Sequence, residues 1–207
     1  MAYNAFTLDG IRAALAVTVR EDLDLFADVA PVPVSLHLQE TLRENVPLAL
    51  AISTEKARSE MIIAPVLIEA RRQLGRAVSL FSGVEFNVDA QRGLVGTCDY
   101  LFSRSPEQLT IDVPVVAIVE AKNDNIKSGI AQCLAEMIAA QTFNEQRKHP
   151  VSVVHGVVTT GSIWKFLRVA GTSAQIDATE YYLRELDRIM GVLLHMLRPT
   201  ALSATSG

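Results

Sequence analysis

The stretch VPVVAIVEAKNDN, residues 113–125, runs from apolar residues directly into Glu120 and Lys122. A continuous apolar run of this length is typical of a central strand that is covered on both faces of its sheet. Side chains alternate along a strand, so Glu120 and Lys122 point to one side while Ala121 points to the other. A carboxylate at the end of a buried strand is costly unless a lysine or a metal ion lies beside it. This stretch therefore predicts a buried strand whose end carries a charged site.

Segments on either side of this strand are expected to form helices and further strands. Residues 53–74 begin with a capping serine or threonine and repeat apolar residues at helical spacing, so they predict a helix that Pro65 kinks. Residues 77–89 and 94–103 alternate with the period of strands and predict a hairpin. The further predicted elements are a long helix at 126–148, a strand pair at 151–160 and 163–170, and a C-terminal helix at 178–198. This order predicts an α/β (α+β) sandwich with a mixed sheet.

The chain is predicted to form a single domain. It has 207 residues, of which 49% are hydrophobic and 20% charged, and no linker or repeat divides it. Residues 7–30 and 35–45 have helical spacing on either side of a proline-containing segment, which predicts two short helices in an N-terminal helical extension of residues 1–50. The predicted core covers residues 53–170, and residues 199–207 are interpreted as a frayed tail.

The composition argues against some classes of protein. The formal net charge of -4 argues against a protein that coats nucleic acid nonspecifically, although it leaves room for a local basic cleft. The first residues lack the pattern of a signal peptide and no segment approaches about 20 uninterrupted apolar residues, so we expect a soluble, cytoplasmic protein without a membrane partner. Cys98 and Cys133 lie in apolar segments without metal-binding spacing and are expected to be buried free thiols.

Two further acids interrupt apolar sequence upstream of Glu120. Asp99 is an isolated acid in the second strand of the predicted hairpin, and Glu60 lies on an otherwise apolar stripe of the predicted helix. Together with Glu120 and Lys122, these acids would form an oxygen-rich pocket of the kind that Mg²⁺ prefers. The sequence therefore predicts a site for Mg²⁺ or Mn²⁺ at the end of the buried strand.

These residues resemble the signature of the PD-(D/E)XK nucleases, which have the restriction-endonuclease-like fold. GTCD at residues 96–99 resembles the segment with the first acid, and VVAIVEAK at residues 115–122 resembles the (D/E)XK half. Glu60 is similar to the helix acid that these families often carry, and SGIAQCLAEM at residues 128–137 resembles the helix after the motif. Cys98 stands where the superfamily name has proline. The resemblance implies a restriction-endonuclease-like core in which helices flank a central mixed sheet.

The resemblance implies a hydrolase, a metal-dependent endonuclease that cleaves DNA phosphodiester bonds. It implies that Asp99, Glu120 and the main-chain carbonyl of Ala121 bind one or two Mg²⁺ ions. Glu60 would complete the coordination directly or through water. Bound metal lowers the pKa of a coordinated water and polarises the scissile phosphate. Lys122 would orient or help to deprotonate that water and would offset charge on phosphorus.

Gln132, in the helix that follows the motif, is implied to contact the phosphate or the attacking water. In nuclease branches related to the RecB helicase-nuclease, a tyrosine follows this glutamine by four positions, whereas Glu136 stands there in this chain. That departure argues against the RecB-related branch. A single small catalytic domain would also need to form a homodimer to cut both strands of a duplex together.

Other interpretations of the same residues stay open. Glu120 and Lys122 also fit a simple salt bridge at the end of a strand. The whole chain also fits a non-catalytic binding or assembly module that keeps the nuclease-like fold, and the sequence does not separate DNA from RNA as a substrate. Trp164 and Phe166 fit core packing better than a platform for bases. His155, within an apolar strand, is interpreted as a core histidine with its hydrogen bonds satisfied.

Overall fold

The structure is a computed structural model that describes residues 2–198. Its strands are β1 (Thr18–Leu23), β2 (Ser79–Glu85), β3 (Thr97–Ser103), β4 (Val115–Ala121), β5 (Val154–Thr159), β6 (Ile163–Ala170), β7 (Ser173–Asp177) and β8 (Tyr181–Tyr182). They form one eight-stranded sheet in the order β1-β7-β6-β5-β4-β3-β2, with β8 beside β6. The helices are α1 (Leu8–Leu15), α2 (Leu36–Ile52), α3 (Glu55–Arg58), α4 (Ala64–Gln73), α5 (Ile126–Gln146) and α6 (Leu186–Leu197).

Strand β4 is the central strand that its apolar run predicts. All 7 of its residues are buried, and it pairs with β3 on one side and with β5 on the other. β2 and β3 form the predicted antiparallel hairpin. β4 and β5 run parallel because α5 carries the chain back between them. The mixed α/β fold expected from the sequence is confirmed, although most strand pairs in the sheet are antiparallel.

Apolar cores lie on both faces of the sheet. α1 and α5 pack on one face, and α2, α4 and α6 pack on the other. Trp164 and Phe166 are fully buried in the second core, as expected for core packing. Cys98 and Cys133 are buried free thiols, as the sequence predicts. The sheet is therefore covered on both sides, which explains why β4 tolerates no polar residue before Glu120.

The predicted helix over residues 53–74 is present but is not uniform. A π-helical segment (Ser59–Ile63) joins α3 to α4, directly before Pro65. Proline has no backbone N–H, so the carbonyl of Met61, four residues earlier, loses its α-helical donor. The side chain of Asn45 supplies a donor instead, with Nδ2 3.0 Å from the Met61 oxygen. The irregularity therefore has a local cause in the sequence and a tertiary compensation from α2.

The prediction that residues 7–30 are helical is wrong beyond α1. The chain leaves α1 at Ala16, which has a φ of 53°, and then forms β1 at the edge of the sheet, parallel to β7. Thr18 and Val19 are β-branched and suit a strand, but the charged residues after them hide this preference. α2 also continues past residue 45 to Ile52. Residues 1–50 are therefore not a helical extension, because β1 belongs to the central sheet.

The predicted C-terminal helix begins later than residue 178. Tyr181–Tyr182 forms β8 against β6, and a 3₁₀ turn (Leu183–Glu185) precedes α6. The ring of Tyr181 packs edge-on against Phe166 at a centroid distance of 5.1 Å, which holds this segment on the sheet. The predicted frayed tail at 199–207 lies outside the described residues. Across residues 2–198, none of the helices combines the length and apolar character that crossing a bilayer requires.

Candidate functional site

Two acids predicted from the sequence lie on adjacent strands. The antiparallel ladder of β3 and β4 ends at the pair of Tyr100 and Val119, and Asp99 and Glu120 are the next residues beyond it on the two strands. The two carboxylates are close enough for the charge of Asp99 to raise the pKa of Glu120. Asp99 Oδ2 also accepts a hydrogen bond from the backbone N–H of Ala121 at 2.8 Å. The carboxylate of Asp99 is therefore fixed where the β4 strand ends.

Glu120 and Lys122 form an ion pair at the end of β4. Lys122 Nζ lies 2.5 Å from Glu120 Oε1, and the two side chains are 18% and 1% exposed. The backbone N–H of Lys122 donates to the carbonyl of Thr159 at 2.8 Å, which extends the pairing of β4 with β5. Glu120 Oε2 is buried and has no hydrogen-bond partner among the described residues. A buried carboxylate oxygen without a partner is costly, which favours a proton or a cation beside it.

Helix α5 brings Gln132 to the ion pair. Lys122 Nζ lies 3.4 Å from Gln132 Oε1, and Gln132 Nε2 donates to Glu136 Oε1 at 3.1 Å. Close approach of α5 requires Gly129, because a Cβ atom there would lie 2.6 Å from Val158 Cγ1 and 3.1 Å from Lys122 Cε. Gln132 therefore lies beside the ion pair. Glu136 belongs to the same hydrogen-bonded chain, and its signal in the sequence is an acid within an alanine-rich helix.

Burial controls the protonation of these side chains. Burial, and after it the charge of Asp99, raises the pKa of Glu120 to about 8, although Lys122 acts in the opposite direction. Burial and the charge of Glu120 also raise the pKa of Glu136 well above its usual range. Burial lowers the pKa of Lys122, but the charge of Glu120 and its hydrogen bond outweigh burial and raise it overall. Lys122 is the single cation beside three acids, Asp99, Glu120 and Glu136, in this part of the described structure. The site therefore favours an additional cation or proton.

A cavity of about 290 Å³ opens beside these acids, and Asp99, Ala121 and Glu60 line it. Glu60 is 59% exposed, and its Oε1 lies 2.9 Å from the ammonium group of Lys56. Glu60 therefore shares a cavity with Asp99, but its carboxylate is held by Lys56 rather than by the buried pair. Of the predicted site residues, it is the one on the solvent side of the site.

Glu55 was not expected at the site. It begins α3 directly after Thr54, whose side chain accepts from the Ala57 N–H at 3.2 Å, and it lines the same cavity as Glu60. Its negative charge adds to burial and Asp99 in raising the pKa of Glu120. In the sequence it is an ordinary acid in the first turn of a helix, so only the packing of α3 against the sheet reveals it.

The residues present fit a divalent cation in part. Within residues 2–198, no group of three or more His, Cys, Asp or Glu side chains could by itself hold a metal ion. Two carboxylates on neighbouring strands and the buried, unpartnered oxygen of Glu120 nevertheless offer the hard oxygen donors that Mg²⁺ requires. A cation here would rely on Asp99 and Glu120, with backbone or water oxygens for the rest.

Comparison of the chain with protein-family models, with curated proteins and with solved structures found no match. Functional conclusions therefore depend on the geometry of the residues themselves. That geometry combines Asp99 and Glu120 on neighbouring strands with Lys122, Gln132 and Glu136 in one hydrogen-bonded chain.

Proposed function

We propose that this protein is a Mg²⁺-dependent nuclease of the PD-(D/E)XK type, with a restriction-endonuclease-like core, and that it hydrolyses phosphodiester bonds of DNA. The observation that carries the proposal is the meeting of Asp99 with the end of β4, where Asp99 Oδ2 accepts from the Ala121 N–H and Lys122 Nζ donates to Glu120. Two acids and a lysine at the end of one buried strand match the chemistry of metal-assisted hydrolysis. The order of the elements supports the same proposal. A helix is followed by three antiparallel strands, then by helix α5, and then by a strand parallel to β4.

In the proposed site, Asp99, Glu120 and the carbonyl of Ala121 hold Mg²⁺ or Mn²⁺, and Glu60 binds directly or through water. The buried Oε2 of Glu120, which has no partner among residues 2–198, supports this assignment. Metal bound there supplies an acidic coordinated water and polarises the phosphate. The pairing of Glu60 with Lys56 is solvent-exposed and weak, so Glu60 can leave it at little cost.

The remaining polar residues of the site act on the nucleophile and the phosphate. Lys122 is the donor closest to Glu120, so its ammonium group orients the attacking water and offsets charge that develops on phosphorus. Gln132 Oε1 lies 3.4 Å from Lys122 Nζ, so in this proposal Gln132 contacts the phosphate or the water beside that ammonium group. Glu136 acts through Gln132 and touches neither water nor substrate.

One observation favours a second candidate function, a binding or assembly module without catalysis. In the structure, Glu120 is already neutralised by Lys122 and Glu60 by Lys56, so both acids have partners without a metal. Cleavage and metal binding separate the two functions. A module binds no divalent cation at Asp99 and Glu120 and cleaves nothing.

The nuclease is tested with Mg²⁺ and Mn²⁺ on single-stranded, duplex and branched DNA, with single-stranded RNA as a comparison. We expect cleavage that Lys122→Ala and Asp99→Ala each reduce by about 10²- to 10⁴-fold, because each removes a group that acts on the nucleophile. Lys148→Ala is the matched control, since Lys148 is exposed beyond the far end of α5. Circular dichroism confirms that each variant is folded.

Activity that survives both Lys122→Ala and Asp99→Ala would overturn the mechanism. A wild-type protein that neither cleaves nor binds Mn²⁺ would favour the module. The mass of the protein in solution, measured by light scattering, tests the homodimer that coordinated cutting of both strands would need.

A further inference from the structure

A second and larger cavity lies on the face of the sheet that α6 covers. Its volume is about 760 Å³, within the range of sites for small ligands. It is enclosed by residues 24–32, strands β5 and β6, and helix α6. It shares no lining residue with the cavity beside Asp99.

A row of polar side chains crosses the sheet beneath this cavity. His155 on β5 pairs with Arg168 on β6, and Arg168 pairs with Gln175 on β7. Paired residues share a face, so all three point to the side that α6 covers. The guanidinium group of Arg168 donates to Gln175 Oε1. Neighbouring positions on this face, such as Phe166, are apolar and buried, so the row is a polar strip within a core face.

His155 is not the satisfied core histidine that the sequence predicts. Its Nδ1 is buried and has no hydrogen-bond partner among the described residues. An unpaired buried polar atom of this kind is costly, which points to a missing partner. The ring of Phe26 lies 6.3 Å from that of His155 and 6.0 Å from that of His195, so three rings surround one part of the cavity.

The charged groups near His155 are basic side chains. Arg168, His195 and Arg198 line the cavity, and Arg104 lies nearby, where its Nε donates to the carbonyl of Leu197 at 3.1 Å. Burial lowers the pKa of His155 to about 3, and the charges that add to this lowering come from His195, Arg104 and Arg168. Such a cluster of basic groups attracts an anion.

The acids of the cavity lie along its other side. Asp24 and Asp28 belong to the segment at 24–32, and Asp24 Oδ2 already accepts from the hydroxyl of Thr179 at 3.2 Å. Neither acid forms a salt bridge with a basic group of the cavity among residues 2–198. The basic end of the cavity therefore keeps its positive character.

We propose that this cavity binds a small phosphate-bearing molecule of mononucleotide size. The phosphate lies at Arg168 and His155, because a guanidinium group and an imidazole N–H are strong donors to phosphate oxygens. The aromatic part of the ligand lies against Phe26 and His195. The site is independent of the proposed nuclease, since no residue is common to the two cavities.

The test uses full-length protein with EDTA present, so that no divalent metal takes part. Deoxythymidine monophosphate, inorganic phosphate and uncharged thymidine are titrated separately, and binding is followed by calorimetry and by the NMR signals of the His155 and His195 rings. We expect the nucleotide to bind with a dissociation constant on the order of 0.1 mM, inorganic phosphate to bind more weakly, and thymidine to bind weakest.

Arg168→Gln is expected to weaken nucleotide binding by about tenfold, because a charge-assisted hydrogen bond is lost. Arg92→Gln, at an exposed position in the turn between β2 and β3, is the matched control and should bind as the wild type does. His195→Gln serves as a second variant if Arg168→Gln does not fold. The proposal is overturned if His155 and His195 show no shift at about 10 mM nucleotide, if thymidine binds as well as the nucleotide, or if the folded variants bind normally.

Discussion

Glu136 is a single residue that acts on the candidate site without reaching it. It is fully buried in α5, and its Oε1 accepts the hydrogen bond from Gln132 Nε2. That bond turns the amide so that Gln132 Oε1 faces Lys122 Nζ. Without it, the amide could rotate and present its NH₂ group to the ammonium of Lys122, which would repel it. The position of Lys122 therefore depends on a side chain outside the cavity.

Glu136→Gln and Glu136→Met separate this positioning role from simple packing. The glutamine keeps an oxygen acceptor for Gln132 and should retain the cleavage proposed above. The methionine fills the space without an acceptor and should reduce kcat by about three- to tenfold, the value of one hydrogen bond, while KM for DNA changes little. Single-turnover cleavage assays give both constants.

A loss of activity that is equal in the two variants would contradict the role of the hydrogen bond. The positioning can also be followed without any cleavage. The side-chain amide signals of Gln132 should be protected from exchange in the wild type and in Glu136→Gln, and should lose that protection in Glu136→Met. Unchanged protection in the methionine variant would refute the mechanism even if the nuclease proposal itself fails.

At the scale of elements, the junction of α3 and α4 carries two of the acids near the site. Glu55 and Glu60 sit in α3 and in the π-helical segment (Ser59–Ile63), and the irregularity arises because Pro65 follows directly. π-helical turns are frequent at functional sites because they turn side chains out of helical phase. The irregular turn therefore sets the direction from which Glu60 faces the cavity.

Asn45→Ala is expected to lower the free energy of unfolding by about 1 to 2 kcal/mol, because it leaves the carbonyl of Met61 without its donor. Urea unfolding followed by circular dichroism measures the change. Gln91→Ala is the control, because the exposed side chain of Gln91 makes no hydrogen bond among the described residues. Asn87 would not serve, since its side chain accepts a hydrogen bond from the Gly96 N–H. Equal stability of Asn45→Ala and Gln91→Ala would show that the bond is not needed.

At the scale of the whole molecule, His155 links stability to pH. Its pKa falls from 6.5 to about 3 on folding. Below about pH 6.5 the imidazole is therefore protonated in the unfolded chain but stays neutral in the folded protein. The free energy of unfolding should therefore decrease as the pH falls from 6.5 towards 3. The contribution is at most about 1.4 kcal/mol for each pH unit.

His155→Gln should reduce this dependence on pH, because glutamine does not titrate. Thermal unfolding between about pH 4 and pH 7 measures it, and His149→Gln, at an exposed position, is the control that should keep the wild-type slope. A slope for His155→Gln equal to that of the wild type would exclude His155 as its source.

Much of the architecture could be predicted from local patterns. The run before Glu120 predicts β4, the alternation around Asp99 predicts the β2–β3 hairpin, and the alanine-rich segment predicts α5, and all three are present. Strand β1 could not be predicted, because its charged residues have no apolar alternation and its partner β7 is more than 150 residues away. Short edge strands take their structure from pairing rather than from their own sequence.

The sequence by itself determined that Glu120 and Lys122 share one side of a buried strand, because the two-residue period of a strand and the cost of burying charge allow little else. Only the tertiary structure decided which groups meet that pair. The packing of β3 against β4 brings Asp99 to the Ala121 N–H at the end of β4, and the missing side chain of Gly129 lets α5 bring Gln132 to Lys122. Contacts between distant segments depend on register and on helix packing, and neither is encoded in local periodicity.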